Sequence, residues 1–363
     1  MVVALLAATS FMAQPTMSFK GLLRMPAEWY ATPQAQSIAD SVMKYQYPSG
    51  GWTKNIDWNL PASGDKLRER QEVLAQIQGD GIGATIDNGA TITEMQFLAK
   101  TYAATGRKDH RKAFMRALDY LLEAQYANGG WPQFYPLRPN DSQGRPPYYN
   151  HITFNDNAMY NVMTLLRDIY EGKAPYDALK LSDKYNDRAR DAFQRGISCI
   201  LRCQIKKDGR LTVWCQQHDE FTFAPAKARA YELPSFTASN ETTSLIELLM
   251  SLPEPSDSII TAVSSAVEWL QQHVIRDMQI EYFVNADGKR DRRLVHHFGS
   301  NIWARYYDLQ TEEPYVCDRD SRPQPSLEYI GYERRNGYSW YGTTPQHVID
   351  RFPDWLRRVQ HPH

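Results

Sequence analysis

The chain has 363 residues, 42% of them hydrophobic and 23% charged, which gives a globular protein with a sizeable core and excludes a disordered chain. Its formal net charge is -1, and without a basic tract it gives no ground for a nucleic-acid partner. The 22 Tyr, 13 Phe and 9 Trp of this polar chain suit a carbohydrate groove, with ordinary core packing as the other use for each ring.

The chain opens "MVVALLAATSFMAQPTMSFK". An apolar run gives way to small residues, then Gln and Pro. This is similar to the core and cleavage region of a signal peptide that lacks its basic start. The run is too short to span a bilayer, so no membrane anchor is expected. Residues 1–18 are read as a signal peptide or disordered N-terminus, and 19–363 as a single secreted or periplasmic domain. A buried N-terminal helix is the other reading. Cys199 and Cys203 lie four apart on an expected helix, and Cys215 and Cys317 are isolated. No CxxC or Cys/His spacing predicts a zinc site.

A repeat then runs through the chain. "ADSVMKYQYPSGGW", "LDYLLEAQYANGGW" and "ISCILRCQIKKDGR" align on Gln46, Gln125 and Gln204, each 79 positions after the last. Apolar residues stand seven, four and three positions before each glutamine: Ala39, Val42, Met43; Leu118, Leu121, Leu122; Ile197, Ile200, Leu201. That is one face of an amphipathic helix, three times, and a Gly-containing stop follows each. A second helix belongs to each unit: "TIDNGATITEMQFLAKTYAATG", "TFNDNAMYNVMTLLRDIY" and "SFTASNETTSLIELLMSL". Looser helical segments are expected near Trp269 and Trp355.

Three helix hairpins and a degenerate remainder make an all-α (α/α) toroid with little β-structure, rather than a very short open superhelix. Long loops at about 53–84, 132–152 and 205–238 would gather on one end. So would the polar starts of the second helices: Asp87 with Asn88, Asn155 with Asp156 and Asn157, Asn240 with Glu241. Each cluster has a plain use as a helix cap. Carboxylates brought together from separate units would instead hold a cation, and oxygen ligands suit calcium. Asp156, Asp87 and Glu241 are the candidate metal ligands.

The turns "PSGGWTKN" and "ANGGWPQFYP" either pack Trp52 and Trp131 between repeats or present Trp52, Lys54 and Trp131 to a ligand. The stretch 296–345 has low apolar periodicity and many turn residues. It carries Arg305, Arg319, Arg322, Arg334 and Arg335 among Trp303, Trp340 and several tyrosines. Planar guanidinium forks bind carboxylates and aromatic faces stack on sugar rings, so an acidic sugar polymer is the expected partner. Structural ion pairing is the other use, with Asp318 and Asp320 flanking Arg319.

"YQYPSGGWTKN", "TIDNGAT", "FNDNAM", "VWCQQHDEFTFAPAKARAYELPS", "WARYYDL", "DRD" and "GYSWYG" follow one another in that order over about residues 35–345. The ordered set resembles the pectate lyases of polysaccharide lyase family 10. The resemblance implies an (α/α) toroid that cleaves polygalacturonate by calcium-dependent β-elimination, with an arginine as base. It maps the base onto Arg319 and a second groove arginine onto Arg305. It maps acidic calcium-site and substrate-contacting positions onto Asp87, also a catalytic candidate, and Asp156, and a carboxylate-binding position onto Arg229. Lys54, Trp52, Trp131 and Tyr341 complete the expected substrate-binding set, and a monomer is expected. "CDRD" departs from the family pattern, in which a small residue and Gly precede the Arg-Asp pair.

Two other enzyme types and one non-enzyme compete. A toroidal glycoside hydrolase would recast Asp87 and Asp156 as its carboxylate pair. A terpene-cyclase type of toroid would need an Asp-rich motif that the sequence lacks. An exported pectin-binding protein would bind the polymer without turning it over.

Overall fold

The computed structural model describes residues 17–59, 63–79, 81–144 and 146–360. The signal-peptide reading therefore falls almost wholly outside the described residues. In chain order the helices are α1 (Phe19–Leu22), α2 (Pro33–Lys44), α3 (Asp65–Gln78), α4 (Ile92–Thr105), α5 (Lys108–Ala124), α6 (Ala158–Tyr170), α7 (Asp183–Cys203), α8 (Asn240–Met250), α9 (Asp257–Gln272), α10 (Tyr332–Gly337) and α11 (Thr344–Gln360). Among the described residues, no helix is long and apolar enough to cross a membrane.

The amphipathic helices α2, α5, α7 and α9 pack side by side as an outer layer. Helices α4, α6 and α8 form the inner layer, and α11 packs on α8 and α9 to make a fourth hairpin. The architecture is the expected (α/α) toroid. Helix α4 is buried on most of its surface, as an inner helix must be, whereas α7 buries one stripe only.

The 79-residue period has a hydrogen-bonding cause. Gln46 Nε2 donates to Gly50 O (2.6 Å) in its own turn and to Ala113 O (2.8 Å) in the next outer helix. Gln125 repeats this with Gly129 O (3.0 Å) and Ala192 O (2.8 Å), and Gln204 with Thr212 O (2.7 Å) and Ala262 O (2.8 Å). Each buried amide thus ties the turn or strand after one outer helix to a carbonyl within the next outer helix. The close approach also explains two glycines. A Cβ on Gly50 or Gly129, both at positive φ (107° and 94°), would lie 2.3 Å from Arg116 O and 2.1 Å from Arg195 O.

The tryptophans complete the same lock. The indole Nε1 of Trp52 donates to Val42 O (2.7 Å), that of Trp131 to Leu121 O (2.8 Å) and that of Trp214 to Ile200 O (2.7 Å). Trp303 makes the equivalent bond to Leu270 O (2.8 Å) in the fourth unit. There the short turn is replaced by a long antiparallel hairpin of strands Ile275–Val284 and Arg290–Ala304. Trp52 and Trp131 are both 0% exposed, so neither offers a face to a sugar. Their assignment as substrate-binding residues is corrected: they are packing residues between repeats.

Other parts of the stretch read as turns are also ordered. Strand Tyr306–Asp308 pairs with Ser235–Thr237 on one side and Pro314–Cys317 on the other. Tyr341–Gly342 pairs with the end of the long hairpin at Ala304 and Trp303. Arg305 therefore stands at the point where the chain passes from one sheet into another.

Candidate active site

None of α4, α6 and α8 has a side-chain hydrogen bond capping its N-terminus. Capping thus fails to explain the polar clusters. Before α4 and α6 the chain instead makes two short turns, Asp87–Gly89 and Asn155–Asn157, which pack against each other. Asn88 and Asp156 take the left-handed conformation (φ 53° and 49°), which short polar side chains tolerate best.

A cavity of about 280 Å³ opens beside these turns, lined among others by Asp156, Glu241, Arg305, Ser339 and Tyr341. Arg305 is 8% exposed. Its Nη2 is ion-paired with Glu241, donates to Asn155 Oδ1 (3.2 Å) and lies 3.9 Å from Asp156. Ser239 Oγ donates to the second oxygen of Glu241. Burial disfavours the Arg305 cation, yet Glu241, Tyr306, Tyr338 and Asp156 outweigh it and hold its pKa above the ordinary value. Arg305 is thus a fixed positive charge. Burial pushes the Asp156 carboxyl up, Arg305 opposes this, and Glu241 and Asp87 add to it. Asp87 is 2% exposed and ion-paired with Lys54.

A second group of arginines flanks this cavity. Arg229 makes a two-pronged bond to Glu232, from Nε to Oε2 (2.9 Å) and from Nη2 to Oε1 (2.7 Å). Glu232 is 1% exposed and also accepts from Tyr338 Oη (2.8 Å). Arg229 lies over the Tyr231 ring at 5.3 Å and Arg319 at 5.8 Å, while Arg305 lies over Tyr338 at 4.6 Å. Arg334 is buried between the same two tyrosines, at 4.2 and 5.2 Å. Arg335 is a structural residue, paired with Asp291 at 2.7 Å.

From this group aromatic rings run to Lys54. Tyr148, which feels the charges of Arg229 and Glu232, lies 3.9 Å from Tyr149, Tyr149 lies 5.3 Å from Phe134, and Lys54 sits over Phe134 at 5.9 Å. The structure thus brings together Lys54, Asp87, Asp156, Arg229, Glu241, Arg305, Arg319 and Tyr341. Sequence reasoning missed Glu232, Tyr231, Tyr338, Phe134, Tyr148 and Tyr149. The spacing of Glu232, three residues after Arg229 in a turn, was the available signal for one of them.

Arg319 is 65% exposed and pairs with Glu333 (3.3 Å), itself 63% exposed. One expectation needs correction: the three acids expected to share an ion do not converge. Among the described residues, the acidic groups close enough to do so are Asp40 with Asp109 and His110, and His151 with Asp219 and Glu220. Lys54 already engages Asp87, and Arg305 already engages Glu241. Asp156 fits a cation best, since its partner Arg305 lies at the limit of pairing distance and it faces the cavity.

The model of the family described as "Pectic acid lyase" matches residues 46–349. Among solved structures, a family 10 polysaccharide lyase from Cellvibrio cellulosa is 35% identical, with TM-score 0.73, over 91% of this chain and 96% of that one. An aspartate-to-alanine mutant of a family 10 polysaccharide lyase from the same organism, in complex with trigalaturonic acid, is 34% identical, with TM-score 0.74, over 92% of this chain and 96% of that one. No curated protein matches. The ordered motifs, the toroid and the cavity flanked by arginines agree with these matches, and the chain belongs to the pectic acid lyase family, whose members are polysaccharide lyases.

Proposed function

We propose that the protein cleaves polygalacturonate by β-elimination, leaving a 4,5-unsaturated uronate on the new chain end. The observation that carries this reading is the continuous band of cations and aromatic rings from Arg319 through Tyr231, Arg229, Tyr148, Tyr149 and Phe134 to Lys54. A polymer bearing one carboxylate per sugar ring suits a band that holds both cations and rings. The bound trigalaturonic acid of the related lyase supports the same substrate class here.

The chemistry follows from charge. C5 of galacturonate loses its proton only when the adjacent carboxylate can hold the developing negative charge. Arg305, locked in its protonated form by Glu241, supplies a fixed positive charge beside the cavity. That lock also disqualifies Arg305 as the base. Calcium fits at Asp156, where it would share the substrate carboxylate and neutralise it.

Arg229 is ruled out on the same ground: burial disfavours its cation, yet Glu232 outweighs this and holds its pKa above the ordinary value. We place the base at Arg319, onto which the resemblance maps it, and give Arg229 the role of a carboxylate contact. The proton on C5 passes to the neutral guanidine of Arg319, and the C4–O bond breaks with no water consumed. Rates of Arg229→Lys and Arg319→Lys as a function of pH test the assignment: the pH dependence moves only for the base.

A hydrolase remains the second reading, because Asp156 has the raised pKa that a general acid needs. Export to the periplasm or medium is proposed from residues 1–18, and a monomer is proposed as well.

A further inference from the structure

A second cavity of about 320 Å³ is lined by residues that flank Lys54 and Asp87 in the chain. It lies at the start of α4, behind the Lys54–Asp87 pair. Thr53 and Asn55, on either side of Lys54, line it, and so does Asn88, which follows Asp87. Asn88 Nδ2 donates to Asn55 Oδ1 (3.0 Å), and Lys20 Nζ donates to the Asn88 carbonyl (2.6 Å). Asp57 also lines the cavity, with Oδ1 turned to the amides of Phe19 (2.9 Å) and Asn59 (3.1 Å).

The unusual feature is Glu94. It is 4% exposed, lines this cavity, and accepts from Trp58 Nε1 (2.7 Å) through Oε1. Its other oxygen, Oε2, is buried without a hydrogen-bond partner. A buried carboxylate oxygen left open is costly in a finished core and is expected where a ligand supplies the donor. Burial pushes the Glu94 carboxyl up to about 7, against the Trp58 bond, the backbone amides of Glu94 and Thr91, and the Lys20 charge.

We infer that this cavity is a distal subsite for one uronate unit of the polymer, with Lys20 taking the carboxylate and Glu94 Oε2 accepting from a ring hydroxyl. Asn55 and Asn88, bonded to each other, keep amide groups for further hydroxyls. The volume lies at the lower end of small-molecule sites, about 300 Å³, which is room for one sugar and not for two. The inference rests on the proposed substrate. It adds a binding contact beyond Lys54, at the end of the groove opposite Arg319.

The test compares KM on long polygalacturonate and on trigalacturonate for wild type, Lys20→Ala and Glu94→Gln. Lys20 is an exposed residue whose loss leaves the core intact. The expected result is KM on the polymer raised about tenfold in Lys20→Ala, as for one lost charge-assisted contact, with kcat and the trimer values unchanged. Equal change on both substrates, or no change on either, overturns the subsite. Calorimetric titration with galacturonic acid, which has no bond to cleave, gives a second readout. Binding by wild type that Lys20→Ala weakens supports the subsite even if no elimination product forms, and no binding by wild type overturns it. Absence of elimination product from wild type counts against the proposed function alone.

Discussion

Arg305 and Glu241 form a buried ion pair beside the central cavity, with side chains 10% and 2% exposed. Each offsets the cost of burying the other's charge. Removing the cation alone leaves an uncompensated carboxylate. Arg305→Ala should lower stability by about 3–5 kcal/mol, while Arg305→Met with Glu241→Leu should come close to wild-type stability. Both variants should be inactive on polygalacturonate. Urea unfolding of the three proteins checks the stability order, and a stable Arg305→Ala protein would contradict it.

Asp156 gives a pH signature. Its folded-state pKa is raised, so between its unfolded and folded values the native state binds more protons than the unfolded chain. Stability contributed by this group is therefore present at low pH and lost as pH rises through the folded pKa. Asp156→Asn should be more heat-stable than wild type at neutral pH and no more stable in acid. Calcium should raise the Tm of wild type and leave that of Asp156→Asn unchanged. An equal calcium shift in both proteins would remove Asp156 from the metal site.

Trp131 and Trp52 act through packing. Trp131→Phe loses the bond from Nε1 to Leu121 O and leaves that carbonyl without its partner. The expected cost is about 1–3 kcal/mol of stability with KM unchanged. A KM several-fold higher with stability intact would restore the tryptophan to the groove.

The arginine rim separates roles. Arg319→Ala should abolish turnover with the fold retained, since the side chain is 65% exposed. Arg229→Ala should raise KM and also lower stability, because it leaves the buried Glu232 carboxylate without its cation. The reverse pattern in single-turnover rates would move the base to Arg229.

The fold was largely legible because its repeat is a chemical one. Gln46, Gln125 and Gln204 must each reach two carbonyls from one position, which fixes period, face and stop together. The fourth unit was harder to read: Val274 follows Leu270 at the interval that separates Gln46 from Val42, so the marker residue is gone, and a hairpin parts Leu270 from Trp303. Candidate acids were visible for the same reason, at the starts of inner helices. Their partners were not. Nothing local in the sequence links Glu241 to Arg305, which lie 64 positions apart, because pairing across a toroid depends on how the units close. The rings of Phe134, Tyr148 and Tyr149 sit in a connection without helical or strand periodicity, where pattern carries no information about direction. Trp52 and Trp131 misled because a glycine turn beside an aromatic serves packing and binding equally well.

The most direct measurement follows the ultraviolet absorbance of unsaturated uronate as purified protein acts on polygalacturonate at alkaline pH, with calcium or with a chelator. The account predicts a steady rise with calcium that the chelator stops and Arg305→Met with Glu241→Leu abolishes. New reducing ends formed without that absorbance would contradict it, and would make the protein a hydrolase working through Asp156.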